Sequence, residues 1–259
     1  MILALDVGNT NIVIGCLDGD NIYFEGRLST DREKTEMEYA VMFKNILDIY
    51  DVDISELDGA IISSVVPPLT AILKNAMLIV TGCVPTEVSI AMDHGIKLEV
   101  DRPEQVGNDL IVSAVAALDK FEPPLIIIDM GTATTISVLD KDGVFCGRSI
   151  LPGVKVSQDA LSAKASLLPN IGIEPAEHVI GRNTMDSMKS GMIYGNAAML
   201  DGMIERIEET LGQKAVAIAT GGLAGAIIPY CKRKIILDDA LLLKGLWLIH
   251  KRINKKSAE

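Results

Sequence analysis

The sequence predicts an α/β protein made of two copies of one unit, each a mixed β-sheet flanked by helices, with a ligand cleft between them. Three observations predict it. The first is an internal repeat. Residues 126–143 run as a buried strand ending at Asp129, a sharp turn at Gly131, a second strand, and a turn over residues 140–143. The chain opens in the same way: Asp6 falls on Asp129, Gly8 on Gly131, and Thr10-Asn11 on Ala133-Thr134, an offset of 123 residues in a chain of 259. The second is the pair Pro123-Pro124 after Glu122, which cannot continue a helix and divides the chain into expected domains 1–121 and 122–259. The third is a later match: Ile61-Ile62-Ser63-Ser64 precedes one helix as Ile218-Ala219-Thr220-Gly221 precedes another.

Taken in order, residues 2–6, 11–17 and 21–28 read as strands, with tight turns over 7–10 and at Asp18–Asp20. Met37, Ala40, Val41, Ile46 and Leu47 have roughly helical spacing and place a helix over 34–49. Residues 60–63 form a short apolar strand. Pro67-Pro68 opens a helix to about Val80. Residues 87–91 read as a strand, 101–105 as a turn, and Gly107-Asn108-Asp109 leads into an apolar helix through Leu118. The second half repeats the scheme. Strands fall at 125–129, 134–140 and 143–150, and loops and helices cover 152–211. A strand at 216–219 turns at Thr220-Gly221-Gly222 into a helix over 223–230. A strand at 234–237 and a closing helix at 239–253 follow, with a basic, solvated tail over Lys251–Lys256.

The strand-end turns carry the chemistry. A carboxylate at the end of a buried strand is costly unless it meets a cation or hydrogen-bond donors. A glycine just behind it lets the backbone approach a ligand closely. Thr and Asn side chains and exposed N–H groups then face the same space, so such a hairpin can cradle phosphate oxygens while its Asp holds hydrated Mg²⁺. An ordinary Asp-x-Gly turn has no reason to recur together with its whole hairpin at matching points of two half-chains.

Composition bounds the partners. The chain is 49% hydrophobic with a mean hydropathy of +0.32, enough for a sizeable core. A net charge of −11 argues against nucleic acid or an anionic membrane as a partner. An anionic substrate must therefore be held by local donors and metal rather than by the global field. Cys16, Cys83, Cys146 and Cys231 are isolated, as in a reducing compartment. Strand residues begin at Ile2 without a basic region, and no apolar run reaches transmembrane length, so a cytoplasmic protein is expected. His94, His178 and His250 show no ligand spacing.

Two such units with a ligand between them describe the duplicated ribonuclease-H-like, actin-like ATPase fold shared by hexokinase, actin, acetate kinase and the heat-shock chaperone ATPase. The chain further resembles the type III pantothenate kinases over essentially its whole length. The resemblance is carried, in order, by Asp6 through Asn11, Gly107-Asn108-Asp109, Asp129 through Thr135 and Leu151-Pro152-Gly153. It continues through Ile180-Gly181-Arg182-Asn183-Thr184 with Met185-Asp186-Ser187, Ser190 through Gly195, and Thr220-Gly221-Gly222. It implies ATP-dependent phosphorylation of the primary hydroxyl of pantothenate, the first step toward coenzyme A, by a homodimer that needs a monovalent cation.

The resemblance also implies roles. Asp6, Val7, Gly8, Asn9, Thr10, Asn11, Ile12 and Val13 would wrap the ATP phosphates, with Asp6 acting on Mg²⁺ through water. Thr132 would contact phosphate, Asp129 would hold K⁺ or NH₄⁺, and Thr220-Gly221-Gly222 would let a nucleotide lie against backbone. Asp109 matches the catalytic base. A carboxylate with an ordinary value near ~3.9 is a weak base for an alcohol, but in a loose phosphoryl-transfer transition state the proton leaves late and the carboxylate orients the hydroxyl and then accepts it. Asp109 also suits a helix N-terminus, and both roles can hold. Gly107, Asn108, Asp109, Leu110 and Thr184 match substrate-contacting positions, although a Thr near a helix start is commonly a cap. The chain departs from the family at Leu110, where Arg is common, and at Val100, where many relatives carry Tyr. Arg102 or Arg182 would be the replacement charge for the substrate carboxylate. Met185, Met188, Met192, Met199 and Met203, with Gly191 and Gly195 beside them, fit either a core face or a dimer seam.

Other classes fit less well. No G-x-x-x-x-G-K-[ST] motif and no G-x-G occurs, against a Walker-type kinase and a Rossmann dehydrogenase. An actin-like filament protein or chaperone would need larger insertions. The remaining alternatives are a kinase of another small hydroxylated acid or sugar in the same superfamily, and a non-catalytic ATP-binding regulatory relative. The latter would be expected to have lost Asp6, Asp109 or Asp129, and all three are present.

Overall fold

The computed structural model describes residues 1–19 and 21–257. Asp20, in the turn expected at Asp18–Asp20, and the side chain of Lys256, in the expected basic tail, lie outside the described residues. The chain forms two compact units. The first comprises Met1–Ile96, Asp101–Asp119 and the segment from Ala240 onward, and the second Lys97–Val100 and Lys120–Asp239.

In the first unit, strands β1 (Ile2–Val7), β2 (Asn11–Asp18) and β3 (Asn21–Ser29) make an antiparallel meander. Strands β4 (Gly59–Ser64) and β5 (Thr86–Glu87) add in parallel on the other side, giving the order β3-β2-β1-β4-β5. Helix α1 (Glu36–Ile49) starts at a capping box in which Thr35 and Glu38 satisfy each other's backbone N–H groups. Helix α2 (Pro67–Thr81) opens on proline, whose missing N–H costs nothing there, and stops at Gly82 with φ +69°. Helix α3 is Asn108–Lys120. The two-residue pitch of β1 sends Leu3, Leu5 and Val7 to the face under Tyr39, Phe43 and Leu69 of α1 and α2. The strand expected over 87–91 is shorter: Val88 N–H still reaches Ile62 O at 2.8 Å, and the chain then turns as Met92 N–H bonds Ser89 O.

In the second unit, β6 (Leu125–Met130), β7 (Ala133–Leu139) and β8 (Phe145–Pro152) form the meander, and β9 (Val216–Thr220) and β10 (Ile235–Leu237) add in parallel. The order β8-β7-β6-β9-β10 repeats that of the first sheet. Helix α4 (Val154–Lys164) precedes the 28-residue α5 (Thr184–Leu211), whose Ile193, Ala197, Leu200 and Ile204 cover Ile126, Ile128 and Ala219. The helix expected over 223–230 is a short α6 (Ala224–Ile227) followed by a 3₁₀ turn at Ile228–Tyr230, because Pro229 cannot donate to a continuing helix.

The closing helix α7 (Leu241–Ser257) belongs to the first unit. Its Leu243, Leu246 and Ile249 bury against Ile2, Ala4 and Ile61, the face of the first sheet opposite α1 and α2, beside Val112 of α3. The division near residue 120 lies close to the expected boundary, but the expected second domain, 122–259, does not include α7 as part of one compact body. The apolar stripe of α7 fits the uncovered face of the first sheet, where each buried Leu or Ile contributes roughly 1.5–3 kcal/mol.

Candidate active site

Asp6 is the penultimate residue of β1, 8% exposed and in register with Val13 on β2 and Ser63 on β4. Gly8 N–H donates to Asn11 O at 3.0 Å, closing a turn in which Asn9, Thr10 and Asn11 are exposed, Ile12 is buried and Val13 half-buried. Thr30 braces this turn twice. Its hydroxyl donates to Gly8 O at 2.7 Å and its N–H to Thr10 O at 2.9 Å. Arg32 Nη2 donates to Asn9 Oδ1 at 3.1 Å, which sets a cation beside the exposed residues. Next to it, the Lys34 ammonium and the Glu33 N–H hold the Asp31 carboxyl below the usual carboxylate range. The buried Tyr39 anchors the segment by donating to Asp31 O at 2.7 Å.

The start of α3 belongs to the same unit. Asn108 Nδ2 donates to Ser64 O at 3.4 Å, and Val65 N–H donates to Val7 O at 3.0 Å, so the helix start is tied to the strand end that carries Asp6. Asp109 is half-buried in the first turn of the helix, where the N-terminal partial charge favours a carboxylate. Its Oδ1 accepts from Leu110 N–H at 3.0 Å, and Ser113 Oγ donates to its carbonyl at 3.0 Å. A Cβ on Gly107 would collide with Asp109 Oδ1, so this carboxylate position requires glycine. Leu110 is 6% exposed and its side chain lies in the interior. Arg102 is exposed at the head of the 3₁₀ turn Pro103–Gln105 that precedes Gly107.

In the second unit, Asp129 stands in register with Thr135 on β7 and Thr220 on β9. Gly131 N–H donates to Ala133 O at 3.0 Å, leaving Gly131 and Thr132 exposed. Register corrects the expected alignment of the repeat after the glycine. Val7 and Ile12 flank a four-residue turn, whereas Met130 and Thr134 flank a three-residue turn, so Asn11 corresponds to Ala133. Gly153 N–H donates to Thr132 O at 3.2 Å, and a Cβ there would strike the Thr132 and Gly131 carbonyls. Gly221 adopts φ +96° directly against Asp129.

Thr184 is the first residue of α5, but Asn183 caps the helix by accepting from Asp186 N–H at 2.9 Å, so Thr184 is released from that duty. Thr184 lines a groove of about 640 Å³ with Gln158, Leu161, Met188, Met192 and Asn196. Met192 is buried, Met188, Met199 and Met203 pack on the core, and Met185 is 45% exposed. Gly191 and Gly195 face open space within the chain. Arg182 and Val100 also lie in this unit.

Each turn is thus brought together with its supports inside its own unit: Asp6, Gly8 and Asp109 in the first, Asp129, Thr132 and Thr184 in the second. Thr30 and Arg32 carry no sequence signal, because they act through long-range bonds that leave no spacing pattern. Gly153 and Gly221 stand among the motif residues, but nothing in the sequence says that they make room for Thr132 and Asp129. Among the described residues, no group of three or more His, Cys, Asp or Glu is arranged to hold a metal.

A family model described as type III pantothenate kinase matches residues 2–206. The chain is similar to a type III pantothenate kinase of an Exiguobacterium species, 42% identical over 98% of this chain and 100% of that one. A type III pantothenate kinase of Geotalea daltonii is 39% identical over 99% of this chain and 100% of that one. Among solved structures, the activator of the 2-hydroxyisocaproyl-CoA dehydratase from Clostridium difficile, with bound ADPNP, aligns with a TM-score of 0.59 and 11% identity, covering 100% of this chain and 97% of that one. Component A of the (R)-2-hydroxyglutaryl-CoA dehydratase from Acidaminococcus fermentans aligns at 0.57 and 14% identity, covering 100% and 99%. At those identities the likeness is one of fold.

Proposed function

The chain belongs to the type III pantothenate kinase family, and from that premise we propose that it transfers the γ-phosphoryl group of ATP to the primary hydroxyl of pantothenate, opening coenzyme A synthesis. The observation that carries the assignment of roles is the tie between Asp109 and the Asp6 turn. Asn108 bonds Ser64 and Val65 bonds Val7, so the residues proposed as base and phosphate turn are tied together in one compact unit.

Backbone N–H groups and side chains of residues 6–13 receive the ATP phosphates, and Arg32, held on Asn9, adds the local positive charge that a chain of net charge −11 otherwise lacks. Thr132 contacts phosphate from the second turn. Asp109 orients the pantothenate hydroxyl and accepts its proton as the bond to phosphorus forms and the bridging oxygen of ADP departs. Asp6 would hold Mg²⁺ through water, which fits a hard carboxylate oxygen donor near a strand end that leads into the exposed turn at Asn9, Thr10 and Asn11. Bound Mg²⁺ supplies charge neutralisation at the phosphate oxygens. Asp129 would hold K⁺ or NH₄⁺, which supplies electrostatic support. Thr184, with Gly107 and Asn108, contacts pantothenate. With Leu110 buried, Arg102 or Arg182 serves the substrate carboxylate.

The working form is a cytoplasmic homodimer. Exposed apolar Val156, Leu161, Leu167, Ile180 and Met185 on and between α4 and α5 support a second copy as their cover. No helix among the described residues is long and apolar enough to cross a membrane. A second reading, phosphorylation of another small hydroxylated acid, draws on Leu110 and Val100, neither of which offers a polar group. The deciding experiment measures ATP turnover with and without pantothenate, in potassium-containing and potassium-free buffer, alongside Asp109→Asn. Turnover that requires pantothenate and the cation and collapses in the variant supports the assignment. ATP binding without stimulation by pantothenate moves it to another acid.

A further inference from the structure

One buried polar group beside the Asp6 turn has no task in the scheme above. Ser63 Oγ is fully buried and has no hydrogen-bond partner among the described residues. Leaving a buried hydroxyl unmatched is unfavourable, and alanine would fill the same space without that cost. Ser63 stands in parallel register with Asp6 across β1 and β4. Registered residues send their side chains to the same face, with the strands about 4.8 Å apart. A serine oxygen and a carboxylate oxygen on that spacing come within hydrogen-bond reach through a change of rotamer. On the face they share, Ala4 and Ile61, one pleat further along each strand, pack in an apolar cluster with Val112 and Leu243.

In the second unit the position equivalent to Ser63 is the buried Thr220, in parallel register with Asp129. Asp129 stands in register with Thr135, whose Oγ1 is likewise buried with no partner among the described residues. In both copies a strand-end carboxylate is flanked by an unmatched hydroxyl, on β4 in one and on β7 in the other.

We propose that Ser63 is a positioning residue for Asp6: in the nucleotide-bound state its hydroxyl donates to the Asp6 carboxylate and holds it in the orientation that receives hydrated Mg²⁺. The inference rests on the reading of Asp6 given above. The donor left unmatched in the free protein is matched in the bound one, so its cost is recovered on binding.

The test is calorimetric binding of a non-hydrolysable ATP analogue with and without Mg²⁺, together with melting temperatures in the absence of nucleotide. The proteins are wild type, Ser63→Ala, Ser63→Cys and Asp6→Asn. Ser63→Ala should melt at or above the wild-type temperature, bind the analogue about tenfold more weakly with Mg²⁺, and bind it unchanged without Mg²⁺. Ser63→Cys, which keeps the volume but donates weakly, should fall between and decides the matter if the alanine variant does not fold. Wild-type affinity in the presence of Mg²⁺, or an equal loss with and without it, overturns the proposal. If Asp6→Asn loses the Mg²⁺ enhancement while the Ser63 variants keep it, the Ser63 inference alone falls. If Asp6→Asn also keeps it, the reading of Asp6 falls too.

Discussion

Gly221 gives its side-chain space to Asp129: a Cβ built on Gly221 would lie 2.5 Å from Asp129 Oδ1 and 2.6 Å from Met130 N, and the residue sits at φ +96°. Both facts demand glycine. Gly221→Ala should destabilise the protein by about 1–3 kcal/mol through backbone strain alone. It should also displace the Asp129 carboxylate and weaken activation by K⁺. Urea midpoints and a potassium titration of activity check the two effects separately. A variant with wild-type potassium response would mean that Asp129 does not hold the ion.

Asp109→Asn should lower kcat by about 10²- to 10⁴-fold while leaving ATP affinity and melting temperature near wild type. Gly107→Ala should reproduce much of that loss with Asp109 intact, because its new methyl group takes the place of Asp109 Oδ1. Steady-state kinetics of both variants check this. An Asn variant within tenfold of wild type would remove Asp109 from the base role.

Arg32 tests the local charge at the first turn. A charge-assisted contact to phosphate contributes roughly 1.5–3 kcal/mol, discounted here for exposure, so Arg32→Ala should raise KM for ATP by about tenfold. The effect should shrink at high ionic strength, as screening predicts. A KM unchanged at low salt would leave Arg32 as a brace for Asn9 only.

Leu246 is fully buried between α7 and the first sheet. Leu246→Ala should cost about 2–5 kcal/mol of stability. Denaturant unfolding measures it, and a loss under 1 kcal/mol would show that α7 packs there only loosely.

Glu208 gives the protein an acid-sensitive point. Burial alone would raise its carboxyl, but the Lys214 ammonium at 2.8 Å, the Ala215 N–H at 3.2 Å and the Arg233 guanidinium outweigh that and hold it below the ordinary glutamate value. A depressed folded-state value contributes stability that is present above the unfolded value, near ~4.3, and is lost as pH falls through the folded one. Glu208→Gln should therefore be less stable than wild type at pH 7, with the two melting curves converging on acidification below about pH 4.5. Parallel curves at all pH values would rule the ion pairs out as the source.

The strands were legible because buried parallel and meander strands read as short apolar runs between Gly and Asp turns, and the repeat doubled the signal. The two strand-end aspartates were legible for the same reason. Thr30 was not, since it braces Gly8 from the far end of β3 through a contact 22 residues away. Leu110 could be seen to depart from its relatives, but not that its side chain turns inward. The place of α7 was hidden because an amphipathic stripe says that a helix is covered, not by which sheet. The helix expected over 223–230 stops at Ile227, because Pro229 has no N–H to carry it on.

The return of α7 to the first sheet bears on the order in which the molecule is made. Apart from Lys97–Val100, the second unit is one uninterrupted stretch that leaves the ribosome before residue 240. The first unit, although its strands emerge earliest, has Ile2, Ala4 and Ile61 covered only in part, by Val88 and Val112, until Leu243, Leu246 and Ile249 arrive. The half of the enzyme that carries Asp6 and Asp109 is thus begun first and finished last, and a chain cut short before α7 would leave one face of its first sheet only partly covered.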